Sequence, residues 1–112
     1  MAAVMPVVSL AVNIAVLVPV LYGFMGGTQD AAFGPDASAR RILICVYAAI
    51  LVLSAVLLAW PAARTPLLPG LLTVQVAYKI LTVPLLGIGH PVAAANLAIA
   101  AVHAVTLTAI LR

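Results

Sequence analysis

Of the polar side chains inside otherwise apolar stretches of this chain, six stand out: Asn13, Gln75, Tyr78, Lys79, Asn96 and His103. They form a candidate intramembrane polar site, and any chemistry the protein carries would have to use them. Lys79 and His103 are the acid–base candidates, and His103 could also act as a proton carrier or a cofactor ligand. The spacing is ordered. Ser9 and Asn13 are four apart, Gln75, Lys79 and Thr82 follow i, i+4, i+7 with Tyr78 beside them, and Asn96, His103 and Thr106 follow i, i+7, i+10. On α-helices each set shares one face. The plainer use of such residues is to hydrogen-bond helices together, at about 0.6 kcal/mol each on average. For Asn13, Gln75 and Asn96 both uses stay open, and His103 divides between a structural and a functional role. Lys79 is harder to place, because a lysine near the centre of a membrane helix costs about 2.5–3.5 kcal/mol. It can snorkel toward the headgroups, be buried against polar partners, or line a path for a ligand or ion.

Several chemistries lack the residues they need. The only acids are Asp30 and Asp36, and there is no glutamate. Both acids fall between the first two apolar stretches, so neither a Ser-His-Asp set nor a carboxylate metal site forms within the helices. Cys45 is the one cysteine, which excludes a CxxC pair and a thiolate zinc site, and it reads as a small hydrophobe in a helix. His90 and His103 are thirteen apart, a spacing that resembles the two-haem helix of membrane b-type cytochromes, but each haem needs a further axial histidine and the chain has only these two. The length resembles that of small multidrug-resistance transporters, whose working glutamate in helix 1 is missing. Four-helix quinone-linked disulfide enzymes need paired cysteines. No catalytic residue, cofactor or metal is therefore expected.

The elements that must position these residues follow from composition. Of the 112 residues 67% are hydrophobic and 6% charged, and the mean hydropathy is +1.34. A soluble domain is about a quarter charged. Four apolar stretches, near 4–25, 39–60, 67–88 and 91–111, are each long enough to cross roughly 30 Å of hydrocarbon as a helix. The expected fold is an all-α four-helix transmembrane bundle, up-down-up-down, forming one integral-membrane domain over 1–112. No Lys or Arg precedes Gln29, so the first stretch lacks the basic start of a signal peptide and is expected to be a retained helix. Counting at 1.5 Å per residue from the end that carries the 1–2 and 3–4 loops puts Asn13, Gln75 and His103 at roughly 18–20 Å depth and Lys79 at roughly 13 Å, with Asn96 nearer still. Three helices thus pool one polar layer, and Lys79 is expected to border the same cavity.

Local signals set the ends. Gly26-Gly27 close helix 1, and Asp36, after Gly34-Pro35, is expected to cap helix 2. Trp60-Pro61 closes helix 2, while Thr65-Pro66 and His90-Pro91 each read as a cap followed by proline at the first helical position. Pro19 and Pro84 fall inside helices, and their kinks should widen the bundle on the 1–2/3–4 loop side. Arg40 and Arg41 are expected at the membrane surface. Four helices place both termini on one side. Arg64 and Arg112 there balance Arg40 and Arg41 opposite, a near-tie that tips slightly toward N-in, in the cell (inner) membrane. Small-xxx-small pairs such as Ala11/Ala15, Gly23/Gly27, Ala55/Ala59, Ala94/Ala98 and Ala100/Ala104 would let helices approach closely. The net charge of +3 is too scattered for nucleic acid. The partners expected are the lipid bilayer and either larger membrane-protein subunits or further copies of the chain. The function expected is that of a non-enzymatic accessory or assembly subunit or a hydrophobe-binding bundle. The alternative is an oligomeric transporter or channel working through Asn13, Gln75, Lys79 and His103.

Overall fold

The computed structural model describes residues 3–26, 33, 38–87 and 89–111. Four helices account for nearly all of them: α1 (Met5–Gly26), α2 (Ser38–Ala59), α3 (Pro61–Leu86) and α4 (Pro91–Ile110). All four are long and apolar enough to cross a membrane, and the longest molecular dimension is 40 Å. The Asp36 cap and the Gly34-Pro35 break fall outside the described residues, as does Arg112.

Cross-links between helices fix the topology. Asn13 reaches Ser54 while Phe24, farther along α1, receives Arg40 from the start of α2, so α1 and α2 run oppositely. Ser9 meets Thr106 while Asn13 meets His103, so α1 and α4 do too. Leu57 packs with Leu68 and Leu72 at one end of the α2–α3 seam, and Tyr47 lies near Tyr78 at the other. The bundle is therefore up-down-up-down, with each helix beside its sequence neighbours and α4 closing back on α1.

The ends of the helices follow the sequence in most places. Gly26 is the last residue of α1. His90 caps α4, its Nδ1 accepting from the Val92 N–H at 3.1 Å, with Pro91 as the first helical residue. Gly87 ends α3 at φ 87° and ψ 144°, a backbone state essentially reserved for glycine. Pro19 and Pro84 lie within α1 and α3 as expected.

The start of α3 differs from the sequence expectation. It begins at Pro61 rather than near residue 67, and Thr65-Pro66 is not a boundary, since Pro66 and Pro69 lie inside the helix. Trp60 alone separates α2 from α3. The reason lies in how the carbonyls ending α2 are satisfied. Arg64 donates from Nε to the Leu57 carbonyl and from Nη2 to the Leu58 carbonyl, both at 3.0 Å. A basic group at a helix C-terminus is favourable there, and it holds the first turn of α3 against the last turn of α2.

Arg40 also departs from expectation. Arg41 is exposed, but Arg40 is buried against the end of α1. Its Nη2 donates to the Phe24 carbonyl at 3.1 Å and its guanidinium sits 5.0 Å from the Phe24 ring centroid. It serves the C-terminal end of α1 as Arg64 serves that of α2. The alanine pairs Ala11/Ala15, Ala55/Ala59 and Ala94/Ala98 all point outward, so the seams of the single chain do not use them.

Two glycine substitutions test the backbone of α3, one at its end and one inside it. Gly87→Ala should lower stability by about 1–3 kcal/mol, because alanine resists that backbone state. Gly70→Ala, inside α3 with nothing within 4 Å of the added Cβ, should be neutral or stabilising by up to about 1 kcal/mol. Thermal melting in mild detergent reads both.

Candidate functional site

The polar residues separate into two clusters at different depths. The deeper one centres on Asn13. Its Nδ2 donates to Ser54 Oγ at 3.0 Å and to Gln75 Oε1 at 2.9 Å. Its Oδ1 accepts from Gln75 Nε2 at 3.1 Å and meets His103 Nε2 at 2.8 Å. An asparagine has two donor hydrogens and two acceptor lone pairs, so Asn13 is saturated. Asn13 and Gln75 face each other as a paired amide, each donating to the other.

His103 carries the network onward. Its Nδ1 lies 3.0 Å from Ser9 Oγ, which lies 2.6 Å from Thr106 Oγ1. Thr106 Oγ1 is also 3.2 Å from the carbonyls of Met5 and Val102. With the ring neutral and its proton on Nε2, His103 donates to Asn13, Ser9 donates to Nδ1, and Thr106 donates to Ser9. Every member of this cluster is buried: Ser9, Asn13, Ser54, Gln75, His103 and Thr106. Four helices contribute, one more than the depth count from the sequence gathers. Ser54 is the addition, and its place six residues before the Trp60 break was the available signal.

The geometry of α3 follows from this cluster. Ser54 stands six residues before Trp60 and Gln75 fifteen after it, yet both reach Asn13. At about 1.5 Å per residue the two helices would differ by about 13 Å in height if both stood straight. The opening turns of α3 therefore cannot rise along the bundle as its later turns do. Pro66 and Pro69, which remove backbone hydrogen bonds within those turns, are the places where the helix can yield.

The second cluster lies toward the 3–4 loop. Lys79 is 4% exposed. Its Nζ donates to Asn96 Oδ1 at 3.0 Å and stands 4.9 Å from the centroid of the Tyr78 ring. Asn96 Nδ2 reaches Thr82 Oγ1 at 3.4 Å, and Thr82 Oγ1 donates to the Lys79 carbonyl at 2.6 Å. Of the three options open to Lys79, the side chain is buried against a polar partner rather than extended to the surface. The Tyr78 hydroxyl is buried near Gln75 without a hydrogen-bond partner of adequate geometry.

Lys79 and Asn96 open onto a chamber of about 160 Å³ between α1 and α4, walled by Val16, Leu17, Val20, Ala95 and Ile99. A second hollow of about 250 Å³ lies on the other side of Asn96, where Tyr78 and Thr82 join its lining. Phe33 and Tyr47 border both. Phe33 was missed as a site residue by sequence reasoning, which gave it no part in the polar site. Its ring centroid is 4.8 Å from that of Phe24 and 6.0 Å from that of Tyr47. The expectation that Lys79 and the Asn13 layer share one cavity needs correction. The chamber belongs to Lys79 and Asn96, while Asn13, Gln75 and His103 are packed shut beneath it.

No family model matches this chain, and no curated protein or solved structure matches it. The geometry alone must therefore carry a functional reading. Among the described residues no group of three or more His, Cys, Asp or Glu could hold a metal ion. The deep cluster offers no unused donor or acceptor on Asn13 to a passing solute. The upper cluster does have donors to offer.

Removing Asn13 should expose this difference. Asn13→Leu strands Gln75 and His103 in a buried setting and should cost about 1–3 kcal/mol, the penalty of a buried polar group left unsatisfied. Asn13→Leu combined with Gln75→Leu should cost less than the sum of the two single changes, because the orphaned partner is removed as well. Denaturation in detergent, run as a double-mutant cycle, measures the coupling.

Proposed function

We propose that the chain is a small multi-pass integral membrane protein without catalysis of its own, and that it holds a hydrophobic ligand within the bilayer. The observation that carries this reading is the chamber between α1 and α4. It has an aliphatic wall, is open on one side, and presents a single ammonium from Lys79. A site with apolar walls and few placed polar groups is what a small hydrophobe needs.

The apolar exterior supports the membrane setting. Tyr22, Met25, Ile42, Val52, Val74 and Leu85 all face outward, an arrangement suited to lipid contact. The reading places both termini on one side, since α1 and α4 close the bundle at that end. The transporter alternative through Asn13, Gln75, Lys79 and His103 draws less support, because Asn13 is saturated within one chain and Lys79 opens onto a separate chamber. Larger membrane subunits or further copies of the chain remain partners for the outward alanine faces in this proposal.

Native mass spectrometry from mild detergent tests it. The wild-type chain should retain one low-mass hydrophobic adduct. Ala95→Trp, which puts an indole into the chamber from a residue exposed at its rim, should lose the adduct while keeping its melting temperature within a few degrees. Bare chain in both preparations would remove the ligand reading. Stoichiometric recovery of larger subunits would replace it with an assembly role.

A further inference from the structure

We propose that the chamber takes the carboxylate end of a single-chain amphiphile, such as a fatty acid, with Lys79 as its anchoring donor. This rests on the chamber being a ligand site and names the class of ligand.

The inference comes from an imbalance of hydrogen-bonding groups. An ammonium has three donor hydrogens and no acceptor. Lys79 uses one of them, on Asn96 Oδ1. The side-chain oxygen of Asn96 is thereby engaged, and its Nδ2 is directed to Thr82. Two ammonium hydrogens stay unused, and the Lys79 ammonium lies over the ring of Tyr78, which lines the neighbouring hollow rather than the chamber. Donors are thus in surplus at the upper cluster. The helices themselves hold no acid, since Asp30 and Asp36 both lie between α1 and α2. What would complete the site is a group made of acceptors, carrying one negative charge to match one ammonium.

Size and charge narrow the class. A carboxylate is acceptor-only and singly charged. A phosphate monoester carries about −1.5 to −2 near neutral pH, as phosphorylated side chains do, and would leave a residual charge in a low-dielectric site with no second cation among the chamber residues. A chamber of about 160 Å³ admits a headgroup and the first part of one chain. The tail would leave through the open side, along the aliphatic residues of α1 and α4.

Equilibrium binding of radiolabelled palmitate to the purified chain in maltoside detergent tests this. One site per chain is expected, displaced by unlabelled palmitate and at least tenfold less well by hexadecanol. Lys79→Met should weaken palmitate binding about tenfold or more, as removal of a charged hydrogen-bond donor does, and leave hexadecanol binding within about twofold. Lys79→Arg should retain most of the affinity. Tyr78→Phe, at a residue that lines the neighbouring hollow and not the chamber, should leave palmitate affinity within about twofold. Equal binding of palmitate and hexadecanol, insensitive to Lys79→Met, would overturn the carboxylate class while keeping a hydrophobe chamber. Equal displacement by hexadecyl phosphate would also overturn it. Palmitate binding that emerges only in the Asp30→Asn/Asp36→Asn double variant would assign the ammonium to the chain's own acids and overturn the proposal. Absence of binding by either lipid in every variant would overturn this inference and the ligand reading together.

Discussion

A buried hydrogen-bonding group in an apolar medium has to find its partner within the protein, and the bundle is organised around Asn13 for that reason. Lipid tails are as apolar as leucine, so no hydrophobic drive favours helix contact over lipid contact. Asn13 on α1 engages Ser54 on α2, Gln75 on α3 and His103 on α4. One residue thereby sets the relative height of all four helices. Leu10, Leu57, Leu68 and Leu72 pack as a buried cluster, but leucines alone tolerate sliding by a turn. The amide does not, because a shifted register would strand several polar groups at once.

The same constraint divides the molecule. Toward the termini, Ser9, Asn13, His103 and Thr106 hydrogen-bond to one another, and their side chains are buried. Toward the 3–4 loop, Lys79 and Tyr78 keep donors that the chain does not use, and Pro84 and Pro91 stand near the ends of α3 and α4 where packing gives way to hollows. Rigidity and spare bonding capacity thus sit at opposite ends of one small bundle.

Much of this could be read from the sequence. Apolar runs at helical length gave four helices, and depth counting brought Asn13, Gln75 and His103 to one level because α1, the later part of α3 and α4 are regular enough for a rise per residue to hold. Counting failed where the helix does not rise evenly. Pro66 reads locally as a first helical residue, yet Arg64 binds the end of α2 and draws the start of α3 back to Pro61. Arg40 reads as a surface cation by position alone, while the Phe24 ring and carbonyl that bury it are sixteen residues away in sequence. Phe33 carries no periodic signal, and its place over the hollows depends on Phe24 and Tyr47. The separation of Lys79 from the deep cluster rests on side-chain direction, since Gln75 and Lys79 share a face but reach different helices.

The line His103–Ser9–Thr106 has a property that a leucine seam lacks. Hydrogens can run along it in either direction over the same heavy atoms. With Nδ1 bare, they point from Thr106 to Ser9 to the ring. With Nδ1 protonated, they point from the ring to Ser9 to Thr106 and end on the carbonyl of Met5 or Val102, each 3.2 Å from Thr106 Oγ1. Nε2 donates to Asn13 in both cases. The hydrogen-bond framework therefore offers partners to both ring nitrogens whichever way the hydrogens run, with no change of rotamer and only two hydroxyls turning.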